Sequence, residues 1–272
     1  MKRRSGFTLV EMLISSTIML IVFAMVYTAF MQTQKLALRN EIDAEIIQNA
    51  RIGLDEITRK IRMLGYHRDG ERGQVAIIEA APFQLSMNAD VDANYPALTA
   101  TGLIKLYDSN EYESPAESYA TGAETLRLTL DRNGDGLVDR ADTYEQNYPI
   151  TPGNAHDMAL IQETNGGQDA QITIGLVGPF DAYDQRTNIV PMFQYWLLDA
   201  NDMFTLIGDD DGDGALDTEE FYFRAVTSQQ ILQRIRRIDV TITAESDTFD
   251  PFMPGQRRHV TLQSTIGLRN MP

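Results

Sequence analysis

The sequence predicts an α+β fold, a long N-terminal helix packed on an antiparallel β-sheet, and three observations lead to it. An apolar run fills residues 7–31 almost without interruption. A helically spaced apolar stripe follows directly, with no proline before Pro82 to force a break. Beyond residue 66 the pattern changes to short alternating runs, separated by loops rich in Gly, Asn and Asp. With 272 residues, 43% of them hydrophobic, the chain can bury one sizeable core. No linker is long or biased enough to separate two independent domains.

The helix comes first. Residues 7–31 would span roughly 37 Å as a helix, more than a hydrocarbon core of about 30 Å. Lys2, Arg3 and Arg4 precede the run and hold the N-terminus on the cytoplasmic side, leaving everything after Met31 outside. An ordinary secretory signal peptide is disfavoured, because the run is too long and no small-x-small cleavage site follows it. In the next segment Ile42, Ile46, Ala50, Leu54, Ile57, Ile61 and Leu64 recur at spacings of three and four, with charges on the other faces. Gly53 counts only as a mild weakness. The expectation is a single helix of more than fifty residues. Its membrane half covers 7–31 and its amphipathic half 32–65, lying on a β-rich domain of residues 66–272.

The strands follow from period-two alternation. Leu126, Leu128 and Leu130 alternate, as do Ile172, Ile174 and Leu176, and Phe193, Tyr195 and Leu197. Ile238, Val240 and Ile242 precede Val260, Leu262, Ser264, Ile266 and Leu268. The last two runs are expected to pair as an antiparallel hairpin across a long polar loop containing Pro251, Pro254 and Gly255. Residues 86–122 and 144–169 read as long loops.

Charge and composition exclude several functions. The net charge is −16, and because Lys2, Arg3 and Arg4 outweigh Glu11 by two, the part beyond residue 31 carries −18. So acidic a domain is not expected to bind nucleic acid. There are no cysteines, so disulfides, thiol catalysis and Cys-based metal sites are out. The three histidines, His67, His156 and His259, show no metal-ligand spacing, and no phosphate-binding loop or nucleophile elbow is present. Nothing points to an enzyme.

Two acidic stretches share one template. Residues 131–142 and 209–220 place oxygen-bearing side chains at positions 1, 3, 5, 9 and 12, Gly at 6 and an apolar residue at 8. That is the spacing of an EF-hand calcium loop. In the first, the candidate ligands are Asp131, Asn133, Asp135, the Leu137 carbonyl, Asp139 and Asp142. In the second they are Asp209, Asp211, Asp213, the Ala215 carbonyl, Asp217 and Glu220. Two Ca2+ sites are expected in EF-like loops between strands, the second the tighter because Glu220 reaches further than Asp142. The alternative is two solvated acidic turns.

Glu11 remains to be explained, since a carboxylate at bilayer depth costs at least a few kcal/mol. SGFTLVEM, residues 5–12, resembles the cleavage and methylation motif of type IV prepilins and type II secretion pseudopilins. The resemblance implies that a prepilin peptidase cuts after Gly6 and methylates Phe7, making Glu11 the fifth residue of the mature chain. It implies that Glu11 neutralises the N-terminal ammonium of a neighbouring subunit; the alternative is a carboxylate snorkelling to the membrane surface. It also implies the type IV pilin fold, an inner-membrane protein with a periplasmic domain, and later incorporation into a pilus at the cell surface. Its partners would be other minor and major pilins and the inner-membrane assembly machinery. Leu20 and Thr28 stand where major pilins commonly carry Gly and Pro. Residues 53–66, GLDEITRKIRMLGY, and the ending STIGLRNMP are similar to PilW-type minor pilins. A GspJ-type minor pseudopilin is the nearest rival, followed by a calcium-dependent pilus-tip adhesin and a membrane-tethered enzyme.

Overall fold

The computed structural model describes residues 8–66, 75–89, 124–131, 138, 158–164, 167–178, 191–198, 203–214, 216 and 225–269. Helix α1 (Leu9–Arg62) runs unbroken for 54 residues, as the unpunctuated sequence requires. Its first half is exposed on every side. The second half buries Ile46, Ala50, Gly53, Ile57, Lys60 and Ile61, with Ile42 and Leu54 half-buried beside them. This is the expected stripe, widened by Gly53 and by the stem of Lys60, whose ammonium lies 3.6 Å from Glu56. Arg59, Lys60 and Arg62 occupy the last turn, where positive charge complements the helix dipole.

The sheet contains β1 (Ile77–Ala81), β2 (Gln84–Ala89), β3 (Glu124–Thr129), β4 (Met158–Thr164), β5 (Gly167–Leu176), β6 (Phe193–Leu198), β7 (Phe204–Leu206), β8 (Ile235–Phe249) and β9 (Arg257–Gly267). One helical turn, α2 (Gln229–Leu232), precedes β8. The strand order is β1-β2-β3-β4-β5-β8-β6-β7, with β9 on β8, and every pairing is antiparallel. Strand β8 joins the two parts. It pairs with β6 over its first residues, meets β5 at Ala244, and carries β9 from Arg237 onward. Helix α1 packs across β5, β8 and β9.

Leu126, Leu128, Leu130, Phe193, Tyr195, Ile238, Val240 and Ile242 are all buried, so three of the alternating runs point where the spacing places them. Each such side chain contributes on the order of 2 kcal/mol of apolar burial before conformational entropy is counted. The Tyr195 hydroxyl donates to the carbonyls of Ala81 and Gln84 at 3.0 and 2.9 Å. A buried polar tip is thereby satisfied.

Four expectations change. Residues 86–89 belong to β2 and residues 158–164 and 167–169 to β4 and β5, so the two long loops are shorter than their sequence suggests. In β2 both faces are buried, and its polar positions are held by partners distant in sequence. Asn88 donates to the Val75 carbonyl at 2.6 Å and accepts from Thr125 at 2.8 Å. Gln84 donates to Glu79 at 2.7 Å. In β5, Thr173 faces the helix and donates to the Asn49 carbonyl at 3.1 Å. Ile174 instead joins Ala159 and Ile161 in a second small apolar cluster. Register shifts between β4 and β5 break the simple alternation there.

The β8–β9 connection is short and not polar at its tip. The strands continue to Phe249 and Arg257, and Phe249, Phe252 and Met253 are exposed. The turn is clamped to the helix. Asp250 accepts from the Phe252 amide at 2.8 Å and from Arg258 Nη1 at 3.0 Å, with Arg39 Nε 3.6 Å away. Arg258 Nε also donates to Asp43.

Gly53 is the fourth correction. A Cβ there would lie 2.8 Å from Thr173 Cγ2 and 3.1 Å from Ile242 Cδ1. The glycine therefore lets the helix lie directly on β5 and β8. Gly53→Ala should gain about 1 kcal/mol of helix propensity yet lose about 1–3 kcal/mol to overpacking, because Thr173 is stiff at χ1 and held by its hydrogen bond. A lowered Tm is expected, and Gly53→Ala with Thr173→Ser, which removes the clashing methyl, should recover it.

The clamp also predicts a pH dependence. The Phe252 amide first, then Arg258 and Arg39, hold the Asp250 carboxyl below its ordinary value. A depressed folded pKa gives stability that is present above the unfolded value of about 3.9 and lost as pH falls through the folded one. Asp250→Asn should lower Tm at neutral pH and narrow its gap to the unsubstituted chain below about pH 4. An unchanged gap down the whole acid series would remove Asp250 from the clamp.

Candidate functional site

Two regions carry the sequence-derived site residues, the start of α1 and the acidic loops. Gly6 and Phe7 lie outside the described residues. Glu11 sits in the first turn of α1, three residues after the N-cap Thr8. Its Oε2 accepts from the Thr8 amide and the Thr8 hydroxyl, both at 2.9 Å, while Thr8 Oγ1 accepts from the Glu11 amide at 3.3 Å. This reciprocal pair is a capping box. The T-x-x-E spacing of Thr8 and Glu11 was the available sequence signal for it. Glu11 therefore has a local task that neither the ion pair nor snorkelling supplies: its carboxylate satisfies the Thr8 amide, a backbone donor that the helix start leaves open.

Beyond the cap, Leu9, Val10, Met12, Leu13 and Ile14 are all largely exposed, and the exposure continues through Phe30. Among the described residues α1 is the one helix long and apolar enough to cross a membrane. Ser16, Thr17, Thr28 and Thr33 turn their hydroxyls back to carbonyls three or four residues earlier, so polar side chains on this surface hide their donors.

The second acidic loop follows β7. Asp209 accepts from the Gly212 amide at 2.6 Å through Oδ1 and from the Gly214 amide at 2.8 Å through Oδ2. Asp211 accepts from the Asp213 amide at 3.0 Å. Gly212 and Gly214 have φ of 79° and 84°, the left-handed conformation that glycine adopts without strain. The loop thereby folds Asp209, Asp211 and Asp213 inward until one carboxylate oxygen from each lies within 4.8 Å of the others. Ala215, Asp217 and Glu220 lie outside the described residues.

The first loop starts differently. Asp131 is buried at the end of β3, where Oδ2 accepts from Arg127 Nη2 at 2.6 Å and its amide donates to Thr129 at 2.9 Å. Arg127 also donates to Glu163 at 3.0 Å and Gln84 at 2.6 Å. Burial works against the Arg127 charge, but Glu163 and Asp131 outweigh it and hold the guanidinium protonated. Asp131 is thus tied to the sheet, a role the loop template did not suggest. Asn133, Asp135, Leu137, Asp139 and Asp142 lie outside the described residues, as do His67 and His156. His259 stands on β9 with Nδ1 3.3 Å from Glu245; burial, then Arg257, lowers its pKa.

The family described as the prokaryotic N-terminal methylation motif matches residues 1–27. No curated protein and no solved structure matches the chain. The motif supports the type IV prepilin and pseudopilin family. The long apolar helix and antiparallel sheet agree with the α+β pilin fold. Such an N-terminus implies a substrate of prepilin peptidase that assembles with other pilins, a structural subunit rather than an enzyme.

Proposed function

With the prepilin-type N-terminus as the premise, we propose that this chain is a minor type IV pilin of the PilW type. In this reading it is a structural subunit of the complex that starts or caps a pilus. The observation that carries it is the junction of a methylation motif with a helix bare along its first half and buried on a sheet along its second. The bare half must be covered, first by lipid in the inner membrane and then by the equivalent segments of neighbours. The uninterrupted segment, with Leu20 and Thr28 where bulk filament proteins carry Gly and Pro, favours a minor subunit. The domain faces the periplasm because Lys2, Arg3 and Arg4 stay inside.

In this scheme cleavage after Gly6 frees the Phe7 amine, and Glu11 accepts a neighbour's methylated ammonium. Two charges that are each costly in an apolar bundle become tolerable together. N-terminal analysis of membrane-extracted protein should find methylated Phe7; a chain retaining Met1 would sink the reading. Glu11→Ala and Glu11→Gln should both be cleaved yet fail to join the complex. Glutamine preserves an acceptor for the Thr8 amide but not the charge, so normal incorporation of Glu11→Gln would assign Glu11 to capping alone. Co-purification with secretion components instead of pilins would favour a GspJ-type pseudopilin.

We also propose that both acidic loops bind Ca2+, the second more tightly. Converging carboxylates on a short glycine-turned loop suit a hard cation with oxygen ligands, and their mutual repulsion disfavours the turn without one. Asp131, shared with Arg127, is a less available ligand than Asp209. At a hundredfold excess over its Kd, one site adds about 2.7 kcal/mol. Melts with calcium and with chelator should differ, and calorimetry should lose the tighter site in Asp209→Ala and the weaker in Asp131→Ala. Identical melts and no binding heat at millimolar calcium would leave both as acidic turns.

A further inference from the structure

The β8–β9 turn is built to be apolar on its outside. Phe249, Phe252 and Met253 are 55%, 41% and 54% exposed. Residues 248–256 contain one charged side chain, Asp250, which is 4% exposed and held by Arg39 and Arg258. The turn is braced internally, with the Asp250 amide donating to Gln256 at 2.8 Å and the Gln256 amide to Met253 at 3.1 Å. Arg39 and Arg257 stack over Phe252 and Phe249 at 5.7 and 5.1 Å. The apolar groups are thus displayed on a fixed scaffold.

Its height along the helix is set by two contacts. Ile242 of β8 lies against Gly53, and Asp250 lies beside Arg39. Strand β8 therefore runs back along α1 toward the membrane segment. It advances about 26 Å while the helix retreats about 21 Å, so the turn reaches Arg39 or beyond. Arg39 stands eight residues after Met31, roughly 12 Å of helix. The headgroup zone adds about 5–7 Å on each side of the hydrocarbon core. The apolar run is about 7 Å longer than that core, a mismatch that a tilted helix absorbs, and a contact between turn and surface requires that tilt to be toward the turn. Residues 32–40 carry Lys35 and Arg39 with no acidic residue, and Leu36 and Leu38 are exposed. Apolar surface therefore continues from the membrane segment toward the turn, with Lys35, about 6 Å of helix beyond Met31, at the level of lipid phosphates and Arg39 above it.

We propose that the β8–β9 turn, with Lys35, Leu36, Leu38 and Arg39, is a bilayer-surface contact that inserts Phe249, Phe252 and Met253 among the lipid headgroups before assembly. This rests on the reading of α1 as a membrane anchor. The contact would fix the domain's tilt and height above the membrane, and it would have to be released for the subunit to leave the bilayer.

The chain has no cysteine, so Met253→Cys and Gln263→Cys each take one environment-sensitive fluorophore. Full-length protein in phosphatidylethanolamine–phosphatidylglycerol vesicles is first floated, then compared with and without lipid brominated near the headgroup. Residue 253 should show blue-shifted, quenched emission, and exposed residue 263, further along β9, neither change. Protein that fails to float overturns the anchor and this contact together. Protein that floats with residue 253 as aqueous as residue 263 overturns the contact alone. Shielding of 253 that appears only when other pilins are added assigns the turn to a protein neighbour, and overturns it equally.

Discussion

The structure depends on one unbroken helix serving two environments. Along its first half every backbone hydrogen bond is internal and the side chains need an apolar surrounding. Along its second half one face alone is covered, by β5, β8 and β9. A break between the halves would uncouple the domain from its anchor, and no Pro stands anywhere in α1 to make one. Anything that fixes the sheet on the second half therefore also fixes its orientation relative to the first.

Three kinds of contact do that fixing. Gly53 removes a side chain so that the backbone lies on Thr173 and Ile242. Ile46, Ala50, Ile57 and Ile61 supply apolar burial, which is strong but does not by itself define a register. The hydrogen bond from Thr173 to Asn49 and the linked ions Asp43, Arg258, Asp250 and Arg39 add direction. Exposed ion pairs contribute little each; here Asp250 is buried and its other oxygen holds the turn, so the network closes on a fixed geometry.

At the opposite extreme are the parts whose residues face solvent. Glu11 caps its own helix with an otherwise exposed carboxylate, an arrangement compatible with passing that charge to a second chain. In the loop after β7, Asp209 organises two glycine amides and leaves three carboxylates converging. Asp131, although it heads an equivalent sequence, is drawn into the sheet by Arg127. Equal spacing in the chain thus gives unequal chemistry once one member meets a half-buried arginine.

By itself the sequence determined the long helix, its buried stripe, the strands around Leu128, Tyr195 and Val240, and the motif at its start. These are properties of local periodicity and local chemistry, readable because each residue's role depends on neighbours a few positions away. Strand β2 was not legible, because Gln84, Ser86 and Asn88 look solvent-facing until Glu79, Val75 and Thr125 come to meet them. The apolar β8–β9 turn was hidden by its prolines and glycine, and the face of β5 by register shifts. Whether Gly53 weakens a helix or seats it, and whether Asp131 faces a loop or an arginine, only the tertiary structure decided. Those outcomes rest on contacts between residues far apart in the chain, and no local pattern encodes which of them will meet.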